Sequence, residues 1–202
     1  PDLRFQLLKN KIKSISSVLY THFHADQTHG INDLRVFFLN NKKKIDIYAD
    51  KKTLAYLKKS FSYSFNNGSG YPAIVKANKL KNIFSLGFDN ESIKFESIEV
   101  KHGNINSIGY IFNNSAYIAD CNELSRSNMA KLKNLKYFII DCLRFKSHPS
   151  HFSVNEVLSI LKEIRPKQTI LTNLHSDLDY NILLQKVPIN VKPAFDGLRL
   201  EL

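Results

Sequence analysis

A chain of 202 residues has the length of one domain or of two small ones, and its 43% hydrophobic and 23% charged content excludes wholesale disorder and fibrous repeats. No apolar run reaches the ~18 residues of a membrane-spanning helix, and Asp2, Arg4 and Lys9 break up any signal-peptide-like start. Two cysteines, Cys121 and Cys142, are too few for a disulfide scaffold and point to a reducing cytoplasm. The net charge of +11 attracts phosphate-bearing partners, yet its lysines are scattered through Lys9–Lys13, Lys42–Lys44, Lys51–Lys59 and Lys76–Lys81 among many Asn and Ile. That distribution fits compositional bias better than a nucleic-acid footprint.

In chain order, Pro1–Leu8 reads as a helix start, with Leu3, Leu7 and Leu8 at helical spacing. The chain opens on Pro1 rather than Met, which suggests a fragment. Ile15–Tyr20 is a buried strand that runs into Thr21–Gly30. After it, Ile31, Leu34 and Phe38 recur at helical spacing, and Ile45–Ala49 is a second strand. Asp50 caps a basic helix through Leu54, Leu57 and Lys58. The stretch 66–71, NNGSGY, is a loop. Ser92–Val100 is a strand ending at Lys101-His102-Gly103. Tyr110–Phe112 and Ala116–Ala119 pair across the Asn113-Asn114 turn, and Tyr137–Leu143 is a buried strand. Ser153 and Glu156 form a capping box for a helix whose apolar face is Val154, Val157, Leu158, Leu161 and Ile164, stopped by Pro166. Thr169–Leu174 is a further strand, and the chain closes with Leu198–Leu202. This alternation predicts a layered α/β fold with no interdomain linker, so 1–202 is expected to be a single domain.

The sharpest chemical feature is His22-x-His24-x-Asp26 directly after a strand. In an extended segment, residues two apart point the same way, so both imidazoles can meet one ion. Neutral imidazole suits zinc, manganese or iron, and a carboxylate adds charge. His102, Asp120, Asp141, His148 and His151 fall at ends of predicted strands or in the loops after them, where α/β sheets assemble sites.

The segment THFHADQTHGINDLR resembles the HxHxDH segment of metallo-β-lactamase-fold hydrolases, in particular the branch of PhnP-type cyclic phosphodiesterases. The resemblance continues at His102-Gly103, at Tyr117–Cys121, at His148–Ser153, through Leu171-Thr172-Asn173 with Leu178-Asp179-Tyr180, and at Pro193–Leu198. It implies a four-layer αββα sandwich whose first strands, before Pro1, are absent from this sequence. It also implies a first metal position at His22, His24, His102 and Asp120, all present.

The second position would use Asp26, Asp120 and two histidines, but this sequence has Gln27 and Asn173 there. Amide oxygens are far weaker ligands than imidazole nitrogen. The implied cofactor is therefore one tightly held divalent ion, Zn or Mn, with the second position weak or empty unless His175 substitutes. The implied reaction is hydrolysis by metal-activated water, with Asp26 orienting the water and His151 protonating the leaving oxygen of a small phosphorylated substrate. His151 also reads as a residue packing beside the Ser153 cap. His29 serves either the helix start or the substrate, while Asp33, Arg35 and Asp141 are expected to support the ligands from behind, Asp141 alternatively capping its strand end. His148 is expected to line the site, and Cys121 reads as a small buried residue rather than a ligand. Alternatives are a tRNA 3′-processing-like nuclease, a thioester hydrolase and a catalytically silent homologue, with a homodimer as a further expectation and no membrane partner.

Overall fold

The computed structural model describes residues 2–68, 70–88 and 91–202, so Pro1 and Ser69, which belong to the expected helix start and loop, lie outside the described residues. The chain divides into two compact units, 1–81 with 86–92, and 82–85 with 93–202.

The first unit holds a parallel sheet of β1 (Ser17–Leu19), β2 (Ile45–Ala49) and β3 (Val75–Lys79), in that order. β1 is shorter than the apolar run Ile15–Tyr20 suggests, although Tyr20 N–H still bonds the Tyr48 carbonyl and extends the ladder. Helix α1 (Leu3–Lys9), the short α2 (Ala25–Thr28), a 3-10 helix over His29–Leu34, α3 (Arg35–Asn41), α4 (Lys51–Ser60) and α5 (Ser62–Phe65) complete the unit. The Asp50 carboxylate accepts from the N–H groups of Lys52 and Thr53, which satisfies two donors that the helix itself cannot. The core comprises Ile31, Leu34 and Phe37 beneath Ile45, Ile47, Ala49, Leu57 and Val75. Gly30 is required by close packing, because a Cβ there would lie 2.9 Å from the Leu3 Cβ.

The second unit is built on the seven-stranded sheet β10-β9-β8-β7-β6-β5-β4. Its members are β4 (Ile83–Phe88), β5 (Glu91–His102), β6 (Ile105–Phe112), β7 (Ser115–Ile118), β8 (Tyr137–Asp141), β9 (Gln168–Thr172) and β10 (Val191–Pro193). β5, β6 and β7 form an antiparallel meander whose last turn uses Asn113 and Asn114, both at positive φ, as a two-residue hairpin of this hand requires. From β7 to β10 the sheet is parallel, so the chain must cross over between strands. Helices α6 (Arg126–Lys131), α7 (Val154–Ile164) and α8 (Tyr180–Lys186) lie in those crossovers. Val154, Val157 and Ile164 of α7 join Ile118, Phe138, Ile140 and Leu171 in one core. The closing Leu198–Leu202 forms no strand; Lys136 Nζ donates to the Glu201 carbonyl there.

Candidate functional site

Each unit carries a pair of side chains of metal-ligating type, His22 with His24 in the first and His102 with Asp120 in the second. In the first unit β1 ends, the chain bends at Phe23, and His22 and His24 come side by side, ring centroids 4.5 Å apart and nearly perpendicular. The imidazoles meet as expected, although at a bend rather than on the straight extended segment that the two-residue spacing suggested. His22 is buried, and its Nδ1 lies 3.1 Å from Thr21 Oγ1, which leaves Nε2 as the nitrogen for ligation. The backbone at His24 is extended and caps α2, whose first turn carries Asp26. Gln27 Nε2 donates to Asp26 Oδ2 at 2.8 Å, so this amide presents a hydrogen-bond donor to a carboxylate. His29 Nε2 lies 3.1 Å from the Tyr56 hydroxyl and meets the Phe61 ring edge-on. Arg35 lies over the Tyr71 ring, 5.3 Å from its centroid, and Asp33 shares a groove with Arg4, Leu7 and Val36.

In the second unit three neighbouring strands deliver side chains from their C-terminal ends: Asp120 after β7, Asp141 at the end of β8 and Asn173 after β9. This is where parallel sheets assemble ligand sites. His102 arrives from the end of β5. Its Nδ1 lies 2.7 Å from the Ser150 carbonyl, which can only accept, so Nδ1 carries the proton. Nε2 lies 3.5 Å from Asp120 Oδ2, with both side chains 3% exposed, and in the neutral imidazole it is this nitrogen that carries the lone pair. Neutral imidazole nitrogen beside a buried carboxylate oxygen is an arrangement that a cation satisfies, and imidazole plus carboxylate is the donor set of a divalent metal. The residues present therefore fit the group.

The loop that supplies Ser150 is clamped against this turn. Gly103 sits at φ +56, and a Cβ there would lie 2.9 Å from the Ser150 Cβ. Gly103 N–H donates to Asn122 Oδ1 at 2.7 Å, which ties the turn to the segment after Asp120.

Asp141 is fully buried and accepts three hydrogen bonds. The Cys121 N–H and His151 Nδ1 reach Oδ2 at 2.9 and 2.8 Å, and Asn173 Nδ2 reaches Oδ1 at 3.1 Å. A carboxylate on Nδ1 sets the His151 tautomer and directs Nε2 outward, the geometry of an acid–base histidine held by an orienting acid. Asn173 Nδ2 also donates to Asp120 Oδ1 at 3.3 Å. Beside His151, His148 accepts at Nδ1 from the backbone and hydroxyl of Ser150, with its ring 5.1 Å from that of His151. Desolvation, then the neighbouring His151 and Arg144, holds His148 below the usual imidazole value. Cys121 is buried and its thiol donates to the Glu123 carbonyl; burial pushes that thiol far up, so it packs as a small apolar residue. His175 stands apart on an exposed turn, where Asp177 supplies both a backbone N–H and a carboxylate oxygen to its Nδ1.

Sequence reasoning passed over Thr21, Tyr56, Asn122 and the Ser150 carbonyl. Of these, Thr21 and Ser150 carried a signal, their places inside the THFHADQTHGINDLR segment and the His148-Pro149-Ser150-His151 motif.

The profile of the Beta-lactamase superfamily domain matches residues 1–173. A Porphyromonas gingivalis protein named octanoyltransferase is 27% identical over 203 residues, a match that takes in 98% of this chain and 40% of that protein. The chain thus spans about two fifths of that relative's length. Among solved structures, a diphosphatase from the PhnP family is 30% identical, with a TM-score of 0.89 over 99% of this chain and 76% of its own. Zinc-bound PqqB from Methylobacterium extorquens, at 15% identity, shares the fold with a TM-score of 0.77 over 100% of this chain and 81% of its own. A family profile across most of the chain, joined to a PhnP-family relative at this identity, places it: the chain belongs to the metallo-β-lactamase superfamily of metal-dependent hydrolases, in the PhnP-like branch.

Proposed function

We propose that this chain hydrolyses a small cyclic or nucleotide-derived phosphodiester, using one tightly held divalent ion. The observation that carries the reading is the His102–Asp120 pair, an imidazole nitrogen 3.5 Å from a buried carboxylate oxygen, together with the perpendicular His22 and His24 imidazoles. These four residues would hold the ion. When bound, a divalent ion supplies a Lewis acid that polarises a phosphoryl oxygen and lowers the pKa of water to about 7.

The remaining steps belong to the chain. Asp26 accepts a hydrogen bond from the attacking water and orients it. Asp141 holds His151 through Nδ1–H and pairs with its imidazolium form; the Nε2 proton of that imidazolium passes to the leaving oxygen, and the proton released by the attacking water makes good the loss. His148, neutral at pH 7, donates through Nε2–H to a non-bridging phosphoryl oxygen without placing a second cation beside His151. The name of the P. gingivalis relative suggests acyl transfer, but that name covers a whole protein of which this chain spans 40%. Both cysteines here are buried with their thiols held protonated, which disfavours them as acyl acceptors.

The test is metal content by plasma mass spectrometry on protein purified without chelators, alongside turnover of bis(p-nitrophenyl) phosphate and a 2′,3′-cyclic nucleotide. Wild type should carry one equivalent of Zn or Mn, and His24→Ala should lose both the metal and the turnover. Metal-free wild type, or unchanged turnover in His24→Ala, overturns the reading.

A further inference from the structure

The amide of Asn173 does more than fail as a ligand. Its Nδ2 faces Asp120 Oδ1 at 3.3 Å and Asp141 Oδ1 at 3.1 Å, on two carboxylates that are 2% and 0% exposed. The reverse orientation would set a carbonyl oxygen against both acids, so the donors must face this way. The 3.2 Å approach of Nδ2 to His151 Nδ1 is the side-by-side convergence of two donors on the two oxygens of Asp141. Two buried anions held near one another need positive charge or N–H donors between them. In the first unit the Gln27 amide treats the Asp26 carboxylate in the same manner.

We propose that Asn173 is a positioning residue whose amide N–H groups take the place of a second cation between Asp120 and Asp141. One N–H engages Asp120 Oδ1 and leaves Oδ2 for the ion shared with His102. The other fixes the Asp141 carboxylate so that it orients His151. The site is then built for one ion by design of its donors, not merely weakened towards a second. This rests on the metallo-hydrolase reading for the first ion, while the state of the Asp120–Asp141 pair is a separate property of the chain.

Asn173→Asp tests it, because the replacement is isosteric and converts the donor into a third carboxylate. Asn173 sits at φ +60, a conformation that Asn, Asp and His all tolerate better than most residues, so the backbone is retained. In EDTA the variant should melt several degrees below wild type. With excess Zn²⁺ or Mn²⁺ that loss should be recovered, and dialysed protein should carry one more equivalent of metal than wild type. Asn173→His, which adds an imidazole without adding charge, should show the same extra equivalent, and it decides the matter if Asn173→Asp does not fold. Asn173→Ala should lose stability without gaining metal. Wild type with two equivalents, or variants that neither lose stability in EDTA nor gain an equivalent, overturns the proposal. Failure of the hydrolase reading has another signature: wild type without metal or turnover, while the EDTA melting difference persists.

Discussion

His148 is governed by neighbours that outweigh the opposing pull of the Asp141 carboxylate. Desolvation, His151 and Arg144 each disfavour its imidazolium, and its Nδ1 is already engaged as an acceptor from Ser150. Its folded value lies below the ordinary 6.5, so between the two values the unfolded chain binds the extra proton. The stability tied to neutral His148 is present in full above 6.5 and is lost as the pH falls from there through the folded value. Melting curves at about pH 7.5 and about pH 5.5 should therefore show a smaller acid-induced drop in His148→Gln than in wild type, and equal drops would refute the assignment. At this scale the meeting of the His22-x-His24 imidazoles was legible from their spacing, but the bend at Phe23 between them was not. The orientation of Asn173 was not legible: its residue type announced a poor ligand, but only the buried Asp120 and Asp141 decide that it acts as a donor. The Ser150 carbonyl escaped notice for another reason, since it is a backbone group that meets His102 across 48 positions of sequence.

Helix α7 shows how an element holds a loop that carries chemistry. Ser153 Oγ accepts from the Glu156 N–H, and the Glu156 carboxylate accepts from the Ser153 N–H at 2.7 Å, the reciprocal capping box expected from sequence. The preceding residue is pinned as well, with Phe152 N–H on the Cys121 carbonyl and Leu143 N–H on the Phe152 carbonyl. Cap and pins together set where His151 emerges. Ser153→Ala should cost about 1 kcal/mol and lower Tm by roughly 2–4 °C for a chain of this size. An unchanged melting temperature in a thermal scan would contradict that. The box was legible because Ser and Glu three apart precede an apolar helical stripe, and the helix runs over that stripe, Val154–Ile164, ending before Pro166. Other elements left weaker traces. β3 reads VKANK, with one buried apolar residue, and its register against β2 comes from tertiary pairing alone. β10 has three residues and ends on Pro193, while α6 is six residues of mixed polarity behind the Ser125 cap. Asp179 does cap α8, but the Leu178-Asp179-Tyr180 stretch was read as a family motif and not as a helix start.

At the scale of the molecule the chain keeps two separate cores, one under each sheet. Cys121 and Cys142 belong to the core of the seven-stranded unit, each with no exposed surface, and burial pushes the Cys142 thiol up to about 12. Ellman's reagent at about pH 8 should label neither thiol rapidly in the native protein, and both once urea has opened the unit. A thiol that reacts in the native state at the rate of a free cysteine would show that this core is looser than described. The fold class was legible from alternating strands and helices, and the sheet order rests on pairings that no local pattern records. The partition of the chain follows neither core in one piece: it passes from the first unit to the second at Asn82, back at Leu86, and over again at Ile93. Neither unit can therefore be exchanged as a cassette by a single recombination event, nor does one cut yield two fragments that each own a whole unit.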